Sequence, residues 1–333
     1  MDPLPLLRPR KVRRCAAIIV AGICAAVLPL VVWSQEYPVK PIRLISPFAA
    51  GGGADVLARF FAQKLSAALQ QQVIVDNRAG AGSIIGTELA ARAPPDGYTV
   101  LIINDTHAIN SSLHARLPYD PIEDFTPITL IAATPFLLIV HPSLPVHSAQ
   151  DLVKLAKSKP GQINYASSGN GSVANFAGEL FKLSTGVNIV HIPYRGITAA
   201  VIDVTAGAAQ MIIVSPLSAL PLARAGKLRL VAVTSASRTR ALPDVPTMQE
   251  SGIKDYEFSS AYGLLAPRNT PAAAVTVLNQ GIVRALAAED AQTRLKDECV
   301  DPVGSTPQDL QKYLLEQTAK YAKIVRATGM KVE

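Results

Sequence analysis

The run Ile42-Arg43-Leu44-Ile45-Ser46-Pro47-Phe48-Ala49-Ala50-Gly51-Gly52-Gly53-Ala54-Asp55 decides the fold class. Its first five residues read as a short apolar strand. After the three glycines, Val56, Leu57, Phe60, Phe61, Leu65 and Leu69 recur at helical spacing, which predicts a helix over residues 54–69. A glycine turn between strand and helix leaves backbone N–H groups free at the helix N-terminus, where the helix dipole favours negative charge. The arrangement repeats at once. Residues 73–76 read as a strand, Asn77-Arg78-Ala79-Gly80-Ala81-Gly82-Ser83 as the turn, and residues 83–92 as a helix halted by Pro94-Pro95-Asp96-Gly97. A third strand, residues 98–103, ends in Asn104-Asp105-Thr106-His107. This βαβαβ order predicts an α/β fold with a parallel sheet and helices on both faces.

The same alternation resumes after a proline-rich passage. Strands are expected at residues 136–140, 163–166, 187–192, 210–214 and 228–234, and helices between them. Ser148 with Asp151 three residues on is a capping-box pattern, and Gly186 closes the helix that follows Ser167-Ser168-Gly169-Asn170-Gly171-Ser172. Residues 256–265 read as an extended crossing back to the first unit. Two long helices, 271–288 and 307–327, then begin with proline at the first helical position. The expected division is a leader over residues 1–34, a first lobe from 35–138 and 260–333, and a second lobe from 139–259. Two extended crossings between lobes suit a hinge.

The N-terminus reads as a cleaved signal peptide. Arg8, Arg10, Lys11, Arg13 and Arg14 precede an apolar run from Cys15 to Leu28, and Val32-Trp33-Ser34 supplies small residues for cleavage near Ser34. The chain is therefore expected to be exported. Residues 1–34 carry five bases against one acid, so more than half of the formal +7 leaves with them. The remainder is too weakly basic for a nucleic-acid reading, yet suits attraction of acidic metabolites. Cys15 and Cys24 lie in the leader, so only Cys299 remains and no internal disulfide is expected.

In an open α/β sheet, ligands sit beyond the carboxyl ends of the strands. The loops there are residues 48–55, 78–83, 104–107, 167–172, 194–196 and 214–217. They are rich in Gly, Ser, Thr and Asn and poor in acids and bases, which suits a carboxylate held by backbone N–H and hydroxyl groups. Ordinary turn and cap chemistry is the alternative for each loop. A dinucleotide site is the sharpest rival, because Gly80-Ala81-Gly82-Ser83-Ile84-Ile85-Gly86 opens a helix and Asp105 stands where a ribose-binding acid belongs. The spacing is one residue too long, however, and the motif follows the second strand. The five histidines show no metal-ligand spacing, and no G-x-S-x-G elbow is present. His107 alone among them falls at a predicted strand end, in reach of a ligand or merely solvated. Asp55 is explained equally by the helix dipole, and Arg195 by a carboxylate ligand, a structural role or the rim.

Several motifs in order carry a family resemblance: Pro47-Phe48 with the triple glycine and Asp55, Asn77 to Gly82, Pro95-Asp96-Gly97-Tyr98-Thr99, Leu117-Pro118-Tyr119-Asp120-Pro121, Asn164 to Gly171, His191-Ile192-Pro193-Tyr194-Arg195-Gly196, Leu242-Pro243-Asp244-Val245-Pro246-Thr247 and Gly263-Leu264-Leu265-Ala266-Pro267. Across essentially the whole chain after residue 34, it resembles the tripartite tricarboxylate transporter receptors, the Bug or TctC family of periplasmic solute-binding proteins. The resemblance implies a two-lobed Venus-flytrap, type II-like among periplasmic binding proteins, each lobe a mostly parallel sheet flanked by helices. It implies a receptor and not an enzyme, with a small organic carboxylate as ligand, permease subunits of a tripartite transporter as partner, no cofactor, no metal, no nucleic acid, and a monomer. The residues it places around the ligand, together with the loop candidates above, are Phe48, Ala50, Gly51, Gly53, Ala54, Asp55, Ala81, Gly82, Ser83, Thr106 and His107 from the first lobe. Ser167, Ser168, Gly169, Arg195 and Ser215 face them. Two departures stand out. His107 replaces a small residue, and Ile212-Ile213-Val214-Ser215 replaces the Phe-Asp-Asn of many relatives, whose acid can meet a ligand amine. An acid without an α-amino group is therefore the expected ligand. An exported enzyme acting on a small carboxylate and an orphan ligand sensor are the alternatives.

Overall fold

Apolar strands that alternate with amphipathic helices build two sheets in a computed structural model that describes residues 37–330. The expected leader, with Cys15 and Cys24, lies outside the described residues. Among the described residues no helix is long and apolar enough to cross a membrane.

The first sheet is laid down by β1 (Ile42–Ser46), β2 (Val73–Asn77) and β3 (Thr99–Asn104), joined through α1 (Gly53–Leu69), a 3₁₀ turn (Ala81–Ser83) and α2 (Ile84–Ala91). These three strands pair in parallel with β1 in the middle. The chain then forms α3 (Thr106–Leu113) and the long β4 (Phe125–Pro135), and β5 (Leu137–Val140) already belongs to the second sheet. That sheet adds α4 (Ala149–Ser158), β6 (Asn164–Ser167), α5 (Val173–Thr185), β7 (Val190–Pro193), α6 (Ile197–Thr205), β8 (Met211–Val214), α7 (Pro216–Arg224) and β9 (Arg229–Val233). The chain returns to the first sheet as β10 (Ser259–Pro267). It finishes with α8 (Ala272–Ala287), α9 (Glu289–Asp297), β11 (Asp301–Pro302) and α10 (Pro307–Thr328). The strand orders are β11-β4-β10-β3-β1-β2 and β7-β6-β8-β5-β9.

Both sheets are mixed. The expected parallel arrangement holds for β3-β1-β2 and for β7-β6-β8, where helical crossovers connect the strands. The strands that carry the chain between sheets, β5 and β10, run antiparallel to their neighbours. No crossover helix separates β4 from β5, so nothing reverses the strand direction before it enters the second sheet.

Each sheet buries apolar side chains on both faces. Leu44, Leu57, Phe61, Ile102 and Leu278 share one face of the first sheet, and Ile45, Leu101, Leu265 and Leu310 share the other. Leu138, Phe176 and Met211 lie on one face of the second, and Ile139, Ile212 and Val233 on the opposite one. The capping box forms as expected, with Ser148 accepting from the Asp151 N–H and Asp151 accepting from the Ser148 N–H. Gly186 closes α5 in the left-handed conformation.

Four elements depart from the sequence reading. Residues 125–135 form a strand despite Pro127, because β11 meets β4 only at Ala132 and Ala133 and leaves the edge open at the proline. Residues 104–107 are a strand end and the start of α3, not a loop. The glycine turn before α2 ends in a 3₁₀ turn, so the helix starts at Ile84. A further helix, α9, follows α8 where the sequence reading stopped.

Candidate functional site

In both sheets the strand order reverses at a middle strand, β1 in the first and β6 in the second. Ligands in α/β folds lie outside the carboxyl ends of strands at such points. The turns after β1, β2, β3, β6, β7 and β8 do converge there, around a cleft of about 740 Å³.

The turn after β1 is held by Asp55, which is almost fully buried in the first turn of α1. Its carboxylate accepts from the Gly51 N–H at 2.9 Å, from Arg59 Nε at 3.0 Å and from Asn77 Nδ2 at 2.8 Å. Burial pushes this carboxyl up, but the bonds from Arg59, Gly51 and Asn77 outweigh it and hold it below the ordinary carboxylate value. Asp55 is thus a brace behind the turn and does not line the cleft, and neither do Ala50 and Gly51. Phe48, Gly53 and Ala54 do line it.

The turn after β2 is left-handed through Ala81 (φ 45°), Gly82 (φ 60°) and Ser83 (φ 80°). For alanine and serine that conformation costs about 1–2 kcal/mol each, so it persists only where neighbours enforce it. Buried Asn110 does so, donating through Nδ2 to the Gly82 carbonyl at 2.9 Å and to Ser83 Oγ at 3.3 Å. Ala81, Gly82 and Ser83 all line the cleft. Among the described residues no protein group accepts from the N–H groups of Gly53, Ala54, Ala81 or Gly82. Two helix entrances therefore present free main-chain donors to one cavity.

Gly86, the last glycine of the supposed nucleotide motif, has a packing role. A Cβ there would stand 2.6 Å from the Arg78 carbonyl oxygen and 2.8 Å from Pro47. The other anchor of that reading fails as well. The Asp105 carboxylate accepts from Tyr313 at 2.8 Å and from Tyr321 at 2.7 Å, inside the packing between α3 and α10. Burial raises its pKa to about 6 in spite of those bonds.

Thr106 lines the cleft, but His107 does not. Its ring is 2% exposed, stacks on Tyr119 and meets the edge of Phe125, and its Nε2 lies 2.7 Å from the Pro121 carbonyl. Burial lowers its pKa to about 4, so the ring is neutral and Nε2–H donates. The expectation that His107 reaches the ligand is corrected by α3, whose helical turn carries the side chain away from the strand ends. Two turns further, at the end of the same helix, His114 lines the cleft instead.

On the second lobe, Ser168, Gly169, Asn170 and Ser172 line the cleft. Ser172 caps α5 by accepting from the Asn175 N–H and donates to the Gly169 carbonyl at 2.7 Å. Ser167 is fully buried behind this turn. Its Oγ lies 2.6 Å from His191 Nε2, and that ring stacks on Tyr165. The pair is turned into packing, and Ser167 does not line the cleft. Arg195, with Tyr194 and Gly196, comes from the β7–α6 turn. Its guanidinium meets no carboxylate among the described residues. Ser215 and Tyr262 complete the wall, with their hydroxyls 3.4 Å apart. Among the described residues no Asp or Glu lines the cleft, and its two basic side chains are His114 and Arg195.

His114, Asn170, Ser172, Tyr194 and Tyr262 belong to this wall although the sequence reading did not select them. Asn170 and Ser172 lay inside a candidate loop, and Tyr194 beside a selected arginine. His114 gave no local signal, because its place depends on the missed helix α3.

The family model for the "Tripartite tricarboxylate transporter family receptor" matches residues 57–330. The chain belongs to this receptor family. It is 34% identical over 322 residues to "Protein BugT" of Bordetella pertussis, covering 96% of this chain and 99% of the relative. Among solved structures it is similar to "R. palustris Rpa4515 with adipate", with a TM-score of 0.86 at 36% identity, over 89% of this chain and 99% of that one. It is also similar to "MatC (Rpa3494) from Rhodopseudomonas palustris with bound malate", with a TM-score of 0.82 at 29% identity, over 87% of this chain and all of that one. The receptor family accounts for the two-lobed architecture and for a cleft between two glycine-lined walls.

Proposed function

We propose that this chain is an exported receptor that captures a small organic acid anion, without an ammonium group, in the cleft between its lobes. It delivers that anion to membrane permease subunits of a tripartite-type transporter. The observation that carries the reading is the composition of the wall. Free N–H groups of Gly53, Ala54, Ala81 and Gly82 stand on one side and Arg195 on the other, with no carboxylate among the described lining residues to pair a ligand amine. An anion gains charge-assisted hydrogen bonds there, whereas an α-ammonium group loses its water without receiving an acceptor charge. The relatives with adipate and with malate bound support an acid as ligand. Phe48, Phe136, Ile197 and Val214 give the rest of the wall an apolar character that suits the carbon skeleton. The reading includes cleavage of the leader near Ser34, release into the periplasm, ligand turnover without chemical change, and no need of a cofactor.

Thermal-shift and calorimetric titration against adipate, malate, citrate, benzoate, aspartate and glutamate tests this. At least one acid without an amine should raise the unfolding midpoint, by about 2.7 kcal/mol of added stability at one hundred times its dissociation constant. Aspartate or glutamate binding far more tightly than the others, or no acid shifting the midpoint, overturns the reading.

A further inference from the structure

The triple glycine has a second duty that its role as a donor turn does not require. Its first two members face the opposite lobe. A Cβ on Gly51 would stand 3.2 Å from Thr198 Oγ1 and one on Gly52 3.0 Å from Ile197 Cγ2, whereas one on Gly53 would first meet Tyr262 Oη of its own lobe at 2.7 Å. The second lobe answers with a glycine of its own, since a Cβ on Gly196 would lie 2.8 Å from Ala49 Cβ. Across this contact Thr198 Oγ1 donates to the Ala50 carbonyl at 3.0 Å, joining residues 148 positions apart. Thr198 does not line the cleft.

Gly52 makes the point most clearly. It is the N-cap of α1, a position where Ser, Thr, Asp or Asn stabilises a helix better than glycine. Its φ of −79° and ψ of 167° suit any residue, so the backbone does not demand glycine. What crowds a side chain there is Ile197 Cγ2 of the other lobe, which would have to give way.

We propose that residues 49–53 and 196–198 form a closure seal between the lobes, latched by the Thr198 hydroxyl on the Ala50 carbonyl, so that Thr198 acts as a positioning residue for ligand capture without touching the ligand. The seal belongs to the closed arrangement and sets the balance between closed and open forms. A ligand held by both walls binds only the closed form, so its apparent affinity scales with the closed fraction. Only this affinity consequence rests on the receptor reading above.

The test reads lobe separation directly, without a ligand. Spin labels at Ala67→Cys on α1 and Lys157→Cys on α4, both exposed positions on different lobes, report the interlobe distance by pulsed electron resonance, with buried Cys299 left in place. The labelled parent should show a short-distance population. Thr198→Val should lower the closed-to-open ratio about two- to tenfold, the effect of one lost hydrogen bond, and Thr198→Ser should restore it. Gly52→Ser improves the helix cap yet wedges the seal, so it should fold normally and also lengthen the distance. A parent with only the long distance overturns the proposal. So does a shift in only one of Thr198→Val and Gly52→Ser, a shift in neither, or failure of Thr198→Ser to restore the ratio. A companion titration with adipate should show Thr198→Val weakening affinity by the factor by which the closed fraction falls. If adipate does not bind either protein, the carboxylate reading is at fault while the distance result still decides the seal.

Discussion

Asp105 and His107 stand two residues apart and titrate in opposite senses. Burial raises Asp105 from 3.8 to about 6, so between those values the folded chain binds the proton more tightly than the unfolded one. Its contribution is full at low pH and is lost as pH rises from about 4 to about 6. Burial lowers His107 from 6.5 to about 4, so there the unfolded chain holds the extra proton and stability grows as pH rises from about 4 to 6.5. Each shift corresponds to about 3 kcal/mol, and the two slopes oppose each other over most of one window. His191, lowered mainly by burial, adds to the slope of His107. In Asp105→Asn the histidines act unopposed. Its unfolding midpoint relative to the parent should climb between pH 4 and 6 and level off above about pH 6, where Asp105 is ionised in both folded and unfolded parent. Differential scanning calorimetry across that range checks this, and parallel curves would remove the assigned roles.

Glycine in the turn elements serves three different physical needs. At Gly82 it supplies a left-handed backbone, at Gly52 it clears space for the other lobe, and at Gly86 it lets α2 approach β1 and the turn after β2. Gly86→Ala therefore meets backbone that cannot swing aside. The expected cost is about 1–3 kcal/mol of stability by urea unfolding, the usual penalty of overpacking. Unchanged stability would mean the helix has slack there. Sequence reading found these turns because strand, glycine cluster and helix follow one another locally. It could not sort their glycines, since what each Cβ would strike lies on a different part of the chain.

The C-terminal helix ties the molecule together. α10 starts from a capping box of Thr306 and Asp309 and packs on the first lobe. Its Tyr321 is fully buried, bonded to Asp105 and set edge-on against Phe176 of the second lobe at 5.3 Å between ring centroids. Tyr321→Phe leaves the buried Asp105 carboxylate with one tyrosine fewer and should cost about 1–3 kcal/mol at neutral pH. Tyr321→Ala adds a core cavity and should cost about 3–5 kcal/mol. Equilibrium unfolding of both variants checks the order, and equal losses would show that the hydroxyl carries none of the effect.

Local pattern by itself determined the alternation of strand and helix, the cap at Ser148, the glycine turns and the poverty of charge in the loops that follow the strands. Those features come from neighbours along the chain, where period, cap and turn chemistry act within a few residues. Only the tertiary structure decided which way each side chain faces. It sent His107 into a ring of aromatics and brought His114 to the cleft, turned Asp55 and Asp105 into braces, and set Gly51 and Gly52 against the opposite lobe. Such choices depend on contacts beyond the local stretch, from the 14 positions between His107 and Pro121 to the 216 between Asp105 and Tyr321. Burial there shifts a proton affinity or forbids a methyl group for reasons no local stretch contains.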